Sequence, residues 1–500
     1  MNDFFANGFK HIVLTYKRNT VISISCLSVF LFVFLYRFLT YLTFNTSFHD
    51  FYFFDQSIWN FVHGKGFYLS IFNMSFLGDH FYPWLLLFVP FYWLYSTPVW
   101  LFIGQAVVVL LMAYPVLRIA KEEFGNRGVF VALLLLFAYF PFRMMAHDFH
   151  GEIWLAMLVS WVLYALYYKK EKWVYLCAFL MPFAKESAAS VIISIGLYYI
   201  IIKRSYLKGL FISLWGLVTS ILLINVIVPY FGDGSYMYSS KYSYLGESVS
   251  DKLLTILTHP HVVFMNMVTT DKILYVFLLF APLCFLSLRS SFIILLIGPL
   301  MQNILSDYYG FYDISAHYSI TMIPVIFICA ILGLAKIKKN DPDGVNRNLV
   351  KYRKIVVFFI GINILCFLFL EARSFIIPYD LKTQYKIISK IPPTASISAD
   401  QRYFSHLQYR NNIYRLSSQH DSTYVLIKKY KYVTDKEFMK LMNDKKYKVL
   451  LSHLIMGTVH SENDIKENRD ILNQYLSDDR YSYENKGNLW LFVKKNRHEE

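Results

Sequence analysis

VISISCLSVFLFVFLYRFLTYLTF, residues 21–44, is the stretch that decides the fold. A helix needs about 20 predominantly apolar residues to cross a bilayer, and this run supplies them. Lys17 and Arg18 precede it. The run is too long for the apolar heart of a secretory signal and lacks a small-residue cleavage site, so it reads as an uncleaved first membrane helix with a cytoplasmic N-terminus.

Comparable apolar runs follow at 81–97, 98–117, 128–142, 153–168, 173–184, 187–202, 209–230, 272–288, 291–305, 317–335 and 355–371. Between them lie short basic clusters: Arg118 and Lys121, Lys169 to Lys172, Lys203 and Arg204, Lys336 to Lys339, Lys351 to Lys354. If every run crossed, these clusters would divide between the two faces, against the bias of basic loops toward the cytoplasm. The run 81–97 is interrupted by Pro83 and Pro90 and rich in Tyr and Trp, so it is expected to lie at the interface. Omitting it leaves about eleven spans and puts all the clusters on the cytoplasmic side. The loops 45–97, 143–152, a tight turn near 185, 231–271 and 306–316 then face outward, with the tail after 372.

Composition agrees. Only 17% of the 500 residues are charged, where a soluble domain would carry about a quarter. The net charge of +15 would suit a nucleic-acid binder, but its clustering between apolar runs is that of loop anchors and excludes such a partner. All five cysteines lie within apolar runs without a CxxC pair, so neither a disulfide framework nor a cysteine zinc site is expected.

After residue 372 the sequence alternates polar and apolar residues. Strands are expected at 394–399, 424–428, 448–452 and 489–493, and helices at 434–443 and 461–476. The expected fold is an all-α multi-span membrane domain, residues 1–372, followed by a small α/β extracytoplasmic domain, residues 373–500.

Polar residues on the outward side collect at helix ends. The first loop holds Asp50, Asp55, Asp79 and His80, and the second Arg143, His147, Asp148, His150 and Glu152. Lys185 and Glu186 sit between two apolar runs, where ionisable groups are costly and usually functional; a solvated hairpin turn is the plainer reading. Asp79, His80, Asp148, His150 and Glu152 offer oxygen and imidazole ligands for Mg, Mn or Zn, or else serve as helix caps. Asp55 opens a short amphipathic helix, as an N-cap or as a general base tuned by an apolar pocket. His317 and Tyr318 begin a late span, behind a loop whose tyrosines suit an interfacial belt.

These residues lie in strings that resemble the membrane proteins catalogued as domain of unknown function 2079: FFDQSIWNFVHGKG (53–66), LGDHFYPWLLLFVPFY (77–92), HDFHGEIW (147–154), AKES (184–187), AHYSITMIP (316–324) and, in the tail, SADQRYFSHLQYRNNIY (398–414). That family is similar in architecture to C-type glycosyltransferases (the GT-C fold). The resemblance implies an enzyme of the cell membrane that moves a sugar from a polyprenyl-phosphate donor to an acceptor (lipid, glycan or protein) at the outer face. It implies an acidic residue of the first outer loop as base or metal partner: Asp55, with Asp79 the alternative. No acidic pair separated by one residue occurs in that loop, a departure that leaves metal use and the choice between them open. In this reading Lys185, with Arg143, neutralises the donor phosphate, and Glu186, His317 and Tyr318 orient the reacting groups. The competing readings are a lipid or lipid-linked-sugar flippase, with the charged groups lining a path, and a noncatalytic assembly protein whose tail holds a partner.

Overall fold

A computed structural model describes residues 2–45, 50–147, 149–314, 316–340, 380–416, 421–429 and 462–495, with positions 354, 357–358, 361 and 365 between them. The first helix, Asn2–Leu42, carries the apolar stretch Thr20–Leu42. One face of it, Ile22, Cys26, Val29, Val33 and Tyr36, is buried in the bundle, while Leu27, Leu31, Leu35 and Leu39 stand exposed at helical spacing. An exposed leucine stripe on a buried-core helix is a surface made for lipid.

Four helices among the described residues are long and apolar enough to cross a membrane: Thr20–Leu42, Val99–Ala138, Tyr206–Phe231 and His317–Asn340. A fifth crossing would come from Pro260–Met267 and Thr270–Leu283, bent by 59° at their junction. The described residues show these candidate spans and do not by themselves establish the expected count of about eleven. Several apolar runs form shorter helices, among them Glu152–Tyr167, Glu186–Ile201 and Ser291–Ile304. The run 355–371 lies largely outside the described residues.

Val99–Ala138 is itself two legs. Gly125 has φ +65°, which breaks the helix. A Cβ on Gly128 would lie 2.5 Å from the carbonyl oxygen of Ala120, whereas eight residues of straight helix would separate them by about 12 Å. The chain therefore reverses at Gly125, between the runs read from sequence as 98–117 and 128–142. Residues 81–97 form a 3-10 turn, Pro83–Leu87, and a short helix, Val89–Leu94, neither long enough to span.

The tail holds a five-stranded mixed sheet in the order 413–415, 397–399, 424–428, 489–494, 481–486. The first three strands run parallel; Leu489–Lys494 is antiparallel to both its neighbours. Gly487, at φ +64°, makes the two-residue turn of the last hairpin with Asn488. Glu462–Leu476 is the helix expected at 461–476; the elements expected at 434–443 and 448–452 lie outside the described residues.

The tail does not stand apart. Its buried residues Ile397, Tyr403, Phe404 and Leu426 share one apolar core with Phe44, at the end of the first apolar run, and with Tyr52, Phe54 and Leu85 of the first loop. His406 stacks on Tyr41 at 4.1 Å and Tyr385 donates to the Leu42 carbonyl, so the sheet is seated on the end of the first helix.

Candidate functional site

Two glycines bring the motif strings together. A Cβ on Gly78 would fall 2.5 Å from the backbone of Gly232, so only glycine lets the first loop touch the end of the Tyr206–Phe231 span. A Cβ on Gly151 would fall 2.2 Å from the Tyr82 ring, so the second motif abuts the first in the same way. Between the helix Glu171–Ala184 and the 3-10 turn Glu186–Ala188, Lys185 is extended, at φ −165° and ψ 143°. The break points Lys185 and Glu186 at these loops.

They enclose a cavity of about 50 Å³, space for roughly three to five waters. His80, Glu152, Lys185, Glu186, Tyr238 and Lys241 give it its polar wall, with Gln302, Asn303 and Tyr318. Lys185 is ion-paired to Glu152, both almost wholly buried. His80 Nδ1 lies 2.8 Å from Glu186 Oε1; the Phe81 amide and the Tyr236 hydroxyl also donate to that carboxylate, each at 3.3 Å. Tyr238 donates to Asp79 and stacks on His80 at 4.7 Å. Burial works to lower the His80 pKa, but the carboxylates of Glu186 and Asp79 outweigh it, and the net shift is upward.

Lys241 is the group that sequence reasoning missed. Its ammonium donates to the Tyr318 hydroxyl at 3.1 Å and sits 4.2 to 5.3 Å from the ring centres of Tyr238, Tyr308, Phe311 and Tyr318. Such faces attract a cation. Burial, and then the Lys185 charge, pull its pKa down to about 8. Its sequence signal was weak: one lysine in the tyrosine-rich stretch SYMYSSKYSY, residues 235–244. Gln302 and Asn303, a polar pair inside an apolar run, were the stronger missed clue.

The expected residues divide. His80, Glu152, Lys185, Glu186 and Tyr318 line the cavity, and Asp79 adjoins it through Tyr238. His150 and His317 stack on each other at 4.3 Å beside Glu152. Arg143 is buried over the Phe140 ring, 5.2 Å from its centre, and does not line the cavity. Asp148 lies outside the described residues. The expected metal set is divided as well: Asp79 and His80 engage Tyr238 and Glu186, whereas His150 and Glu152 gather with His317.

Asp55 differs most from expectation. It lies in the middle of the helix Asp50–Val62, so it is not an N-cap. It is fully buried and does not line the cavity. Tyr92 donates to it at 2.6 Å and Tyr409 at 3.0 Å, and Gln408 donates to its other oxygen; the last two belong to the tail. Burial pushes its pKa up to about 7, although all three donors oppose the shift.

Apolar helices with lipid-facing stripes and a buried ionic cavity at their ends define an integral membrane protein. The chain belongs to the DUF2079 family, described as predicted membrane proteins, whose model matches residues 40–464. No curated protein and no solved structure matches it.

Proposed function

We propose that the chain is a cell-membrane glycosyltransferase that takes a sugar from a polyprenyl phosphate and passes it to an acceptor at the outer face. The convergence of Lys185 and Lys241 on one cavity, beside Glu152, Glu186 and His80, is the observation that carries this reading. Two ammonium groups in a buried setting are suited to a phosphate and to the charge left on it as the glycosyl bond breaks. The enclosed space admits a phosphate-sized group, so the sugar sits at the mouth and the isoprenoid tail along the exposed apolar helix faces.

In this mechanism the acceptor oxygen attacks the anomeric carbon as the carbon–oxygen bond to phosphate breaks. Polyprenyl phosphate leaves, and the acceptor proton passes to a carboxylate. Asp79 is the better candidate for that base, because its partner Tyr238 lines the cavity while Asp55 is enclosed by the tail. Glu186 holds His80, and Tyr318 holds Lys241. With the basic clusters cytoplasmic, the first loop and the tail seated on it face outward.

Transfer by the purified chain in nanodiscs, on labelled lipid-linked sugars, tests the reading. Lys241→Gln should lower kcat/KM by about 10²-fold. The cationic form is the working one, so wild-type kcat/KM should fall as pH rises through about 8, and the variant should lose that limb. Movement of intact lipid-linked sugar across the bilayer, with no bond cleavage, would replace the transferase by a flippase.

A further inference from the structure

His150, Glu152 and His317 each offer one ligand atom, and these atoms lie within 4.8 Å of one another. His150 and Glu152 are buried and His317 is partly so. His317 Nε2 is 3.5 Å from Glu152 Oε1. Two ligands of a tetrahedral ion with bonds of 2.0 to 2.1 Å stand about 3.4 Å apart, so this pair is already at ligand spacing. No separation exceeds 4.8 Å, so closing to ligand spacing takes at most about 1.4 Å, the scale of a side-chain rotation.

We propose that His150, Glu152 and His317 form a divalent transition-metal site, with zinc the favoured ion, at the Glu152 wall of the cavity. Two imidazole nitrogens and one carboxylate suit zinc better than magnesium or calcium, which prefer oxygen. Three protein ligands leave a fourth position open, and the neighbouring cavity is where that position would lead. Lys185 also holds the Glu152 carboxylate, at Oε1, the oxygen that faces His317, so the ion would share Oε1 or take Oε2. A carboxylate has two oxygens and about four lone-pair sites, enough for an ammonium and an ion together. The site draws on two strings far apart in sequence, HDFHGEIW and AHYSITMIP, and accounts for His150 in the first and His317 in the second.

The site does not rest on the transferase reading, and its test needs no sugar. The full chain, purified in detergent and stripped with chelator, is titrated with zinc chloride alone, and bound metal is counted by mass spectrometry. Wild type should retain one zinc per chain, and zinc should raise its melting temperature. His317→Ala and His150→Ala should each weaken binding by more than about 100-fold, beyond the loss typical of an outer-shell partner. His80→Ala, which removes a side chain bonded to Glu186 and not to the three ligands, should bind as wild type does. If an alanine variant fails to fold, His317→Gln serves in its place, with monodispersity and helix content as the check. Absence of stoichiometric zinc in wild type, equal binding by the folded histidine variants, or equal affinity for magnesium would overturn the site. Zinc binding without sugar transfer would leave the site standing and remove the transferase; transfer by a chain that binds no zinc would do the reverse.

Discussion

Lys185→Met is expected to destabilise the protein by about 3–5 kcal/mol, because it strands a carboxylate that has almost no access to solvent. Glu152 would keep His317, 3.5 Å away, with His150 and the more distant Lys241, as weaker sources of positive charge. Removing both charges is a different perturbation. In Lys185→Met/Glu152→Gln the buried anion is gone, so stability should return to within about 1 kcal/mol of wild type. Transfer should not return with it. Both variants lack the ammonium expected at the donor phosphate, and each should lose about 10² to 10³ in rate. Thermal unfolding of the two variants, with transfer measured on the folded fraction, separates the roles. A stable single variant would mean that the two groups do not depend on each other; recovered transfer in the double variant would remove Lys185 from the chemistry.

The membrane class was legible because hydropathy is a local property. The 21–44 run, the lysine clusters and the separation of 98–117 from 128–142 are all written in consecutive residues. Helix lengths were less legible, because an apolar run folds as a shorter helix when a proline or an extended residue interrupts it. Pro182 and the extended Lys185 do so at one end of Glu171–Ala184. In the tail, 424–428 and 489–493 announced themselves by alternation, whereas Tyr481–Lys486 is a polar edge strand and Ile413–Arg415 has three residues, too few for a period.

The ionic cavity was half legible. Lys185, Glu186, Glu152 and His80 stood out because charge is costly beside apolar helices. Lys241 lies in a polar loop where a lysine needs no explanation, and only folding surrounds it with rings. The grouping of His317 with His150 and Glu152 likewise depends on a contact between distant helix ends. The surroundings of Asp55 were hidden for the same reason. Its decisive partners, Gln408 and Tyr409, lie more than 350 positions away.

Those partners set the remaining expectation, that Asp55 latches the tail onto the first loop in a pH-dependent way. Its pKa is about 7 when buried and about 3.8 otherwise, so between those values the docked state binds more protons than the undocked one. Docking is then strongest below the lower value, weakens as pH rises through the window, and levels off above about 7. The full swing is roughly 4 kcal/mol, at 1.36 kcal/mol per unit. Asp55→Ala removes the acceptor of three buried donors, Tyr92, Tyr409 and Gln408, and should loosen the tail by about 3 kcal/mol or more. Asp55→Asn should not. Its amide oxygen serves the tyrosines, and its NH2 can meet Gln408 Oε1, which has no hydrogen-bond partner among the described residues. That variant should keep the tail docked and abolish the pH slope. Protection of the tail from limited proteolysis, in denaturant between about pH 5 and pH 8, measures both effects. A wild-type chain with no slope, or an alanine variant protected like wild type, would remove the latch. An asparagine variant that stays docked but loses about 10² to 10⁴ in transfer would instead return Asp55 to the role of general base.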